Sequence, residues 1–134
     1  MILNNTKPKI LFVCVENSCR SQMAEGFAEK YRGDEIEVFS AGSYPSGRVN
    51  PDAIKVMGEI GIDISKHRSK GFNDLPYKMF DYVVTMGCGD VCPFIPSKQN
   101  IDWQIPDPTG IGMDHFRKVR DEIGEKVKEL LSKI

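Results

Sequence analysis

Short apolar runs alternate with longer stretches of helical periodicity along the whole chain, and this alternation limits the available folds more than any other feature. Lys9 to Cys14 (KILFVC) is a continuous apolar run of strand length, as expected of a strand buried on both faces. Ser21 to Arg32 follows, with Met23, Ala24, Phe27, Ala28 and Tyr31 at helical spacing and Gly33 as the stop. Ile36 to Ser40 reads as a second strand. Asn50 then caps a helix with Pro51 at its first position; Ile54, Met57 and Ile60 turn inward and Gly61 ends it. Asp81 to Thr85 supplies a third strand, and Ile101 to Ile105, between Pro96 and Pro106, a weaker fourth. From Met113 onward, Phe116, Val119, Ile123, Val127 and Leu130 form one stripe of a long amphipathic helix. Strands alternating with helices predict an α/β architecture, a four-stranded parallel sheet with helices on both faces and ligands at the carboxyl ends of the strands.

At 134 residues the chain is expected to form one domain, 1–134. Hydrophobic residues make up 40% and charged residues 28%, which excludes collagen-like, coiled-coil and disordered classes. The net charge of -1 carries no signature of nucleic-acid or membrane binding. The first apolar run, Ile10 to Val15, is too short and too late for an export signal, and no run approaches the roughly 18 apolar residues of a membrane span. A cytoplasmic monomer is therefore expected. In that compartment the four cysteines, 14, 19, 88 and 92, read as catalytic, redox or metal-binding residues rather than a disulfide framework. The mixed charges between Arg117 and Glu129 read as a solvated helix face.

The chemistry concentrates between the first strand and the first helix, in Cys14-Val15-Glu16-Asn17-Ser18-Cys19-Arg20-Ser21. A loop of this length entering a helix can turn successive backbone N–H groups towards one centre, and the helix dipole adds to the attraction for an anion. Arg20 would close the ring, its planar fork holding two oxygens of a tetrahedral oxyanion. The same field favours the thiolate of Cys14, a nucleophile beneath the bound anion. Residues 15 to 21 (Val15, Glu16, Asn17, Ser18, Cys19, Arg20 and Ser21) are then the substrate cradle, with Ser21 donating to the sulfur and Asn17 bridging the turn. Glu16 is expected to point outward. The competing reading makes Cys14 a buried strand-end residue, Arg20 a surface charge and Ser21 a helix cap.

With this loop, the segments Ser21–Gly26 (SQMAEG), Ser40–Gly42 (SAG), Asn50–Pro51, Ile62–Ser65 (IDIS) and Asp107–Pro108 resemble, over nearly the whole chain, the low-molecular-weight tyrosine phosphatase family, and within it the thioredoxin-coupled arsenate reductases. The resemblance implies a flavodoxin-like strand order 2-1-3-4 and makes Asp107 the acid that protonates the departing substrate oxygen, where by itself Asp107 reads equally as a turn former before proline. A phosphatase needs only Cys14, Arg20 and Asp107; a reductase also needs two electrons, which Cys88 and Cys92 on a Gly-rich loop after the third strand could supply. The resemblance implies a relay in which Cys88 attacks the sulfur of Cys14, arsenite leaves, and Cys92 then attacks Cys88. The resemblance implies thioredoxin as the thiol donor, or the glutaredoxin-like or small-thiol partner of a related branch, since the separation of Cys88 from Cys92 is shorter than in the best-known thioredoxin-coupled members.

Four other readings compete. Cys88 and Cys92 could be half of a zinc site, but His67, His115 and Cys19 offer no second ligand pair at recognisable spacing, so no metal is expected. They could be inert packing residues, or the chain an oxyanion sensor. A tyrosine phosphatase is the enzymatic alternative, although Thr109-Gly110 after Asp107-Pro108 provides no aromatic for a phosphotyrosine slot. The family's potassium site matches Asn17, Glu25 and Ser40, but Lys70 stands where the family has an acid, so no bound cofactor is expected. His67, His115 and Trp103 read as structural.

Overall fold

Lys9–Cys14 forms strand β1, the centre of the sheet, and its residues from Ile10 onward are buried because neighbouring strands flank it and side chains cover both faces. The computed structural model describes residues 7–87 and 95–134. After β1 come α1 (Arg20–Arg32), β2 (Glu37–Gly42), α2 (Pro51–Gly58), a single-turn 3-10 helix (Phe72–Asp74), β3 (Phe80–Thr85), β4 (Ser97–Asp102) and α3 (Met113–Leu131). The four strands run parallel in the order β2-β1-β3-β4, with Cys14 opposite Gly42 and Val13 opposite Thr85. The carboxyl end of β1 thus lies between those of β2 and β3, where a doubly wound sheet binds its ligands.

Alternation along β1 divides the core. Ile10, Phe12 and Cys14 join Met23 and Phe27 of α1, Val56 and Met57 of α2, and the Phe116, Val119, Ile123, Val127 and Leu130 stripe of α3 in one large cluster. Leu11 and Val13 face the other way with Ala41, Phe80 and Val83, beneath Phe72, Leu75 and Ile95. Among the described residues the α-helices pack on one face of the sheet and the 3-10 turn lies on the other.

Two boundaries and one helix face depart from expectation. The fourth strand is Ser97–Asp102, not Ile101–Ile105. It is an edge strand, held by backbone pairing to β3 from Phe80↔Ser97 to Thr85↔Asp102, so it needs little apolar side-chain burial. Trp103 and Ile105 lie beyond it and are buried as the chain crosses the sheet end. In α2 the buried residues are Ala53, Val56 and Met57, whereas Ile60 is exposed. The helix ends two residues earlier than predicted, so Ile60 falls in the turn that Gly61 closes at φ 82°. The predicted cap holds: Asn50 Oδ1 accepts the N–H of Asp52 at 2.7 Å.

Candidate active site

The loop from β1 to α1 reverses at Asn17, whose φ of 51° is the only positive value among described non-glycine residues. Asparagine tolerates this region because its short side chain bonds locally. Nδ2 donates to Ser21 Oγ at 2.8 Å, and Oδ1 accepts from Gln22 Nε2 at 2.9 Å and from the backbone N–H of Lys70 at 2.8 Å. Ser21 Oγ lies 2.9 Å from Cys14 Sγ. Because Asn17 already donates to this hydroxyl, the serine's own hydrogen is available to the sulfur. Gly42, beside Cys14 in the sheet, permits the close fold of the loop: a Cβ there would stand 2.5 Å from Val15 O and 2.8 Å from Asn17 N.

Arg20 opens α1 and is buried, with Nη1 donating to Met86 O at 2.8 Å and to Ile105 O at 3.0 Å. One guanidinium nitrogen therefore ties down the chain leaving β3 and the chain that leads to Asp107. Gly87 leaves room for it, since at its φ of 85° a Cβ would lie 2.9 Å from Arg20 Nη1. Above the loop is a cavity of about 300 Å³, lined by Cys14, Val15, Glu16, Ser18, Cys19 and Arg20 and faced by Asn50, Asp107 and Thr109. Its volume is at the small end for ligand pockets, and no aromatic ring lines it among the described residues. Glu16 is exposed, as expected, and stands at the rim. Asp107 is also exposed; its Oδ1 accepts both the N–H of Thr109 at 3.0 Å and the Thr109 hydroxyl at 2.7 Å. Burial pushes the Cys19 thiol up to about 11, so it stays protonated at neutral pH and cannot serve as the thiolate.

Behind the loop, Lys70 Nζ donates to Ser40 Oγ at 3.2 Å and to Arg68 O at 3.1 Å and lies 3.8 Å from Glu25 Oε1, while Ser40 also donates to Glu25. The ammonium sits among the groups matched to the family's potassium site. A metal cation there would press two positive charges on one carboxylate, so the residues present do not fit potassium and no step is routed through it. Burial raises the Glu25 carboxyl above its ordinary value, with Lys70 opposing the shift. His67 joins the same layer: its Nε2 is 3.2 Å from Glu29 Oε1 and its Nδ1 3.0 Å from Gln22 Oε1. The Glu29 contact raises the imidazole above its usual 6.5, against the effect of burial. A group raised in the folded state contributes stability that is complete below the unfolded value and disappears as pH climbs through the folded one. Thermal unfolding of His67→Gln beside the parent should accordingly show its largest deficit near pH ~6 and a smaller one near pH ~8.5; a deficit independent of pH would contradict the charged pairing.

The sequence profile of the low-molecular-weight phosphotyrosine protein phosphatases matches residues 9–134. The chain belongs to this family. Within it, the chain is 49% identical over 132 residues to a protein of Halalkalibacterium halodurans named arsenate reductase, covering 91% of this chain and 94% of that one. A Synechocystis protein named glutaredoxin arsenate reductase is 44% identical over 94% of this chain and 98% of its own. Among solved structures, an arsenate reductase in its phosphate-binding state superposes with a TM-score of 0.85 at 41% identity, over 95% of this chain and 98% of the other. The thioredoxin-dependent arsenate reductase of Corynebacterium glutamicum gives 0.80 at 35% identity, over 98% of this chain and 63% of that one.

The fold brings Cys14, residues 15 to 21 and Asp107 to one cavity or its supporting network. Cys88 and Cys92 lie outside the described residues. The chain that leads to them is anchored beside β1, the N–H of Met86 donating to Val13 O at 2.9 Å. Sequence reasoning did not assign site positions to Asn50 and Thr109, nor to the carbonyls of Met86 and Ile105. For Thr109 a signal existed: an Asp followed two residues later by Thr is the pattern of a side-chain-closed turn.

Proposed function

We propose that the protein reduces arsenate to arsenite through a three-cysteine relay, as a cytoplasmic monomer in arsenic detoxification, and is regenerated by thioredoxin or another thiol donor. The observation that carries this reading is the arrangement of Cys14 Sγ, 2.9 Å from Ser21 Oγ, in a small cavity that also holds Arg20 and Asp107. The resemblance of the relatives named arsenate reductase supports the choice of substrate. Among the described residues no helix is long and apolar enough to cross a membrane.

In this mechanism the Cys14 thiolate attacks arsenic held against Arg20 and the loop. The sulfur–arsenic bond forms, an arsenic–oxygen bond breaks, and Asp107 gives its proton to the departing hydroxyl, which leaves as water. The Cys88 thiolate then attacks Cys14 Sγ. A disulfide forms, the sulfur–arsenic bond breaks, and its electron pair goes to arsenic, which falls from the +5 to the +3 state and leaves as arsenite. Attack of Cys92 on Cys88 frees Cys14 and leaves a disulfide that an external dithiol reduces.

Arsenate, thioredoxin, its reductase and NADPH supplied together should give NADPH consumption that depends on arsenate and is lost in Cys88→Ser and Cys92→Ser. Arsenate-independent consumption, with no turnover from glutaredoxin or small thiols either, would overturn the reading. Rapid aryl phosphate hydrolysis surviving both substitutions would favour the phosphatase alternative.

A further inference from the structure

We infer that Thr109 is a positioning residue for Asp107, fixing which carboxyl oxygen carries the proton given to the leaving group. The inference rests on the acid role proposed for Asp107. Thr109 borders the cavity directly beside Asp107, and both its N–H, at 3.0 Å, and its hydroxyl, at 2.7 Å, reach the same atom, Asp107 Oδ1. Among the described residues Oδ2 accepts no hydrogen bond. An oxygen already receiving two hydrogen bonds is a poor place for a proton, so the acid form carries its hydrogen on Oδ2. The carboxyl is thereby held in one rotation with its proton on one defined oxygen, the condition an effective general acid must meet.

The hydroxyl is itself oriented from the other side. Thr109 Oγ1 lies 3.7 Å from Cys19 Sγ. Its single hydrogen goes to the carboxyl, so towards Cys19 the oxygen can only accept, and the sulfur must be the donor. Cys19 is suited to this because burial keeps it a thiol at neutral pH. The order Cys19 S–H to Thr109 O–H to Asp107 links the wall of the cradle to the acid above it. A valine at 109 keeps the shape and the backbone contact and removes the hydroxyl alone; a serine keeps the hydroxyl.

Steady-state arsenate reduction by Thr109→Val, Thr109→Ser, Asp107→Asn and the Asp107→Asn/Thr109→Val double variant tests this. Thr109→Val should lower kcat by about tenfold, a part of the 10²–10⁴ that general acids contribute, with KM changed less than about twofold. Thr109→Ser should stay within about twofold of the parent, and in the Asp107→Asn background the valine should cause no further loss, as expected of residues that act as a unit. An undiminished kcat in Thr109→Val, or an equal loss in both backgrounds, would overturn the positioning role. Undiminished kcat in Asp107→Asn would instead overturn the acid role, and this inference with it.

Discussion

Cys14→Ser is expected to lose arsenate turnover by about 10⁴-fold or more, the scale on which removing an enzyme's nucleophile acts, while still folding and still binding the oxyanion. The side chain sits at the end of a strand buried from Ile10 onward, 3% exposed, and oxygen for sulfur changes its volume little. Ser21 Oγ and Arg20 keep their other partners, Asn17 Nδ2 and the carbonyls of Met86 and Ile105, so the cradle has no reason to collapse. The hydroxyl, however, is hardly ionised at neutral pH and cannot form a disulfide with Cys88. Phosphate titration followed by amide NMR should therefore show binding within a few-fold of the parent beside absent turnover. Retained turnover would contradict the role of Cys14; lost binding would show that the sulfur also shapes the cradle.

The second large effect is expected at Arg20→Lys. Lysine keeps the charge but has no fork, so it cannot hold Met86 O at 2.8 Å and Ile105 O at 3.0 Å and also offer two donors to an oxyanion. Loss of one preorganised donor costs about 10²–10³-fold in rate, so kcat/KM should fall by at least about that much, with KM rising as well. Leaving two buried carbonyls short of their charged donor should also lower unfolding free energy by about 1–3 kcal/mol, read from urea denaturation. A lysine variant within about threefold of the parent in kcat/KM would mean that the arginine is structural and the anion is held by the loop alone.

How far the sequence revealed this architecture depends on which force decided each part. β1 and the α3 stripe were legible because burial decides them, and burial writes itself as apolar periodicity. β4 is not legible in the sequence, because an edge strand of the sequence SKQNID is chosen by backbone pairing to β3, which leaves no apolar pattern. Periodicity places Ile60 on a helix face because it continues past the point where α2 ends at Gly58. At the site, the spacing of Cys14, Ser21 and Arg20 was readable because a loop between strand and helix has few ways to turn. The anchoring of Arg20 on Met86 and Ile105 was not, since it joins carbonyls 66 and 85 residues away whose side chains play no part. Nor did the sequence show that Lys70 would place its ammonium on Ser40 and its N–H on Asn17, although its replacement of an acid was visible.

Mass spectrometry of disulfides trapped by rapid acid quench, after a single arsenate addition to the reduced protein, tests most directly whether electrons pass from Cys88 and Cys92 to Cys14. A Cys14–Cys88 bridge should form first in Cys92→Ser and persist there. The unsubstituted protein should accumulate a Cys88–Cys92 bridge, one for each arsenite released. Arsenite released without any arsenate-dependent bridge to Cys14, or with a bridge from Cys14 to Cys19 alone, would contradict the relay.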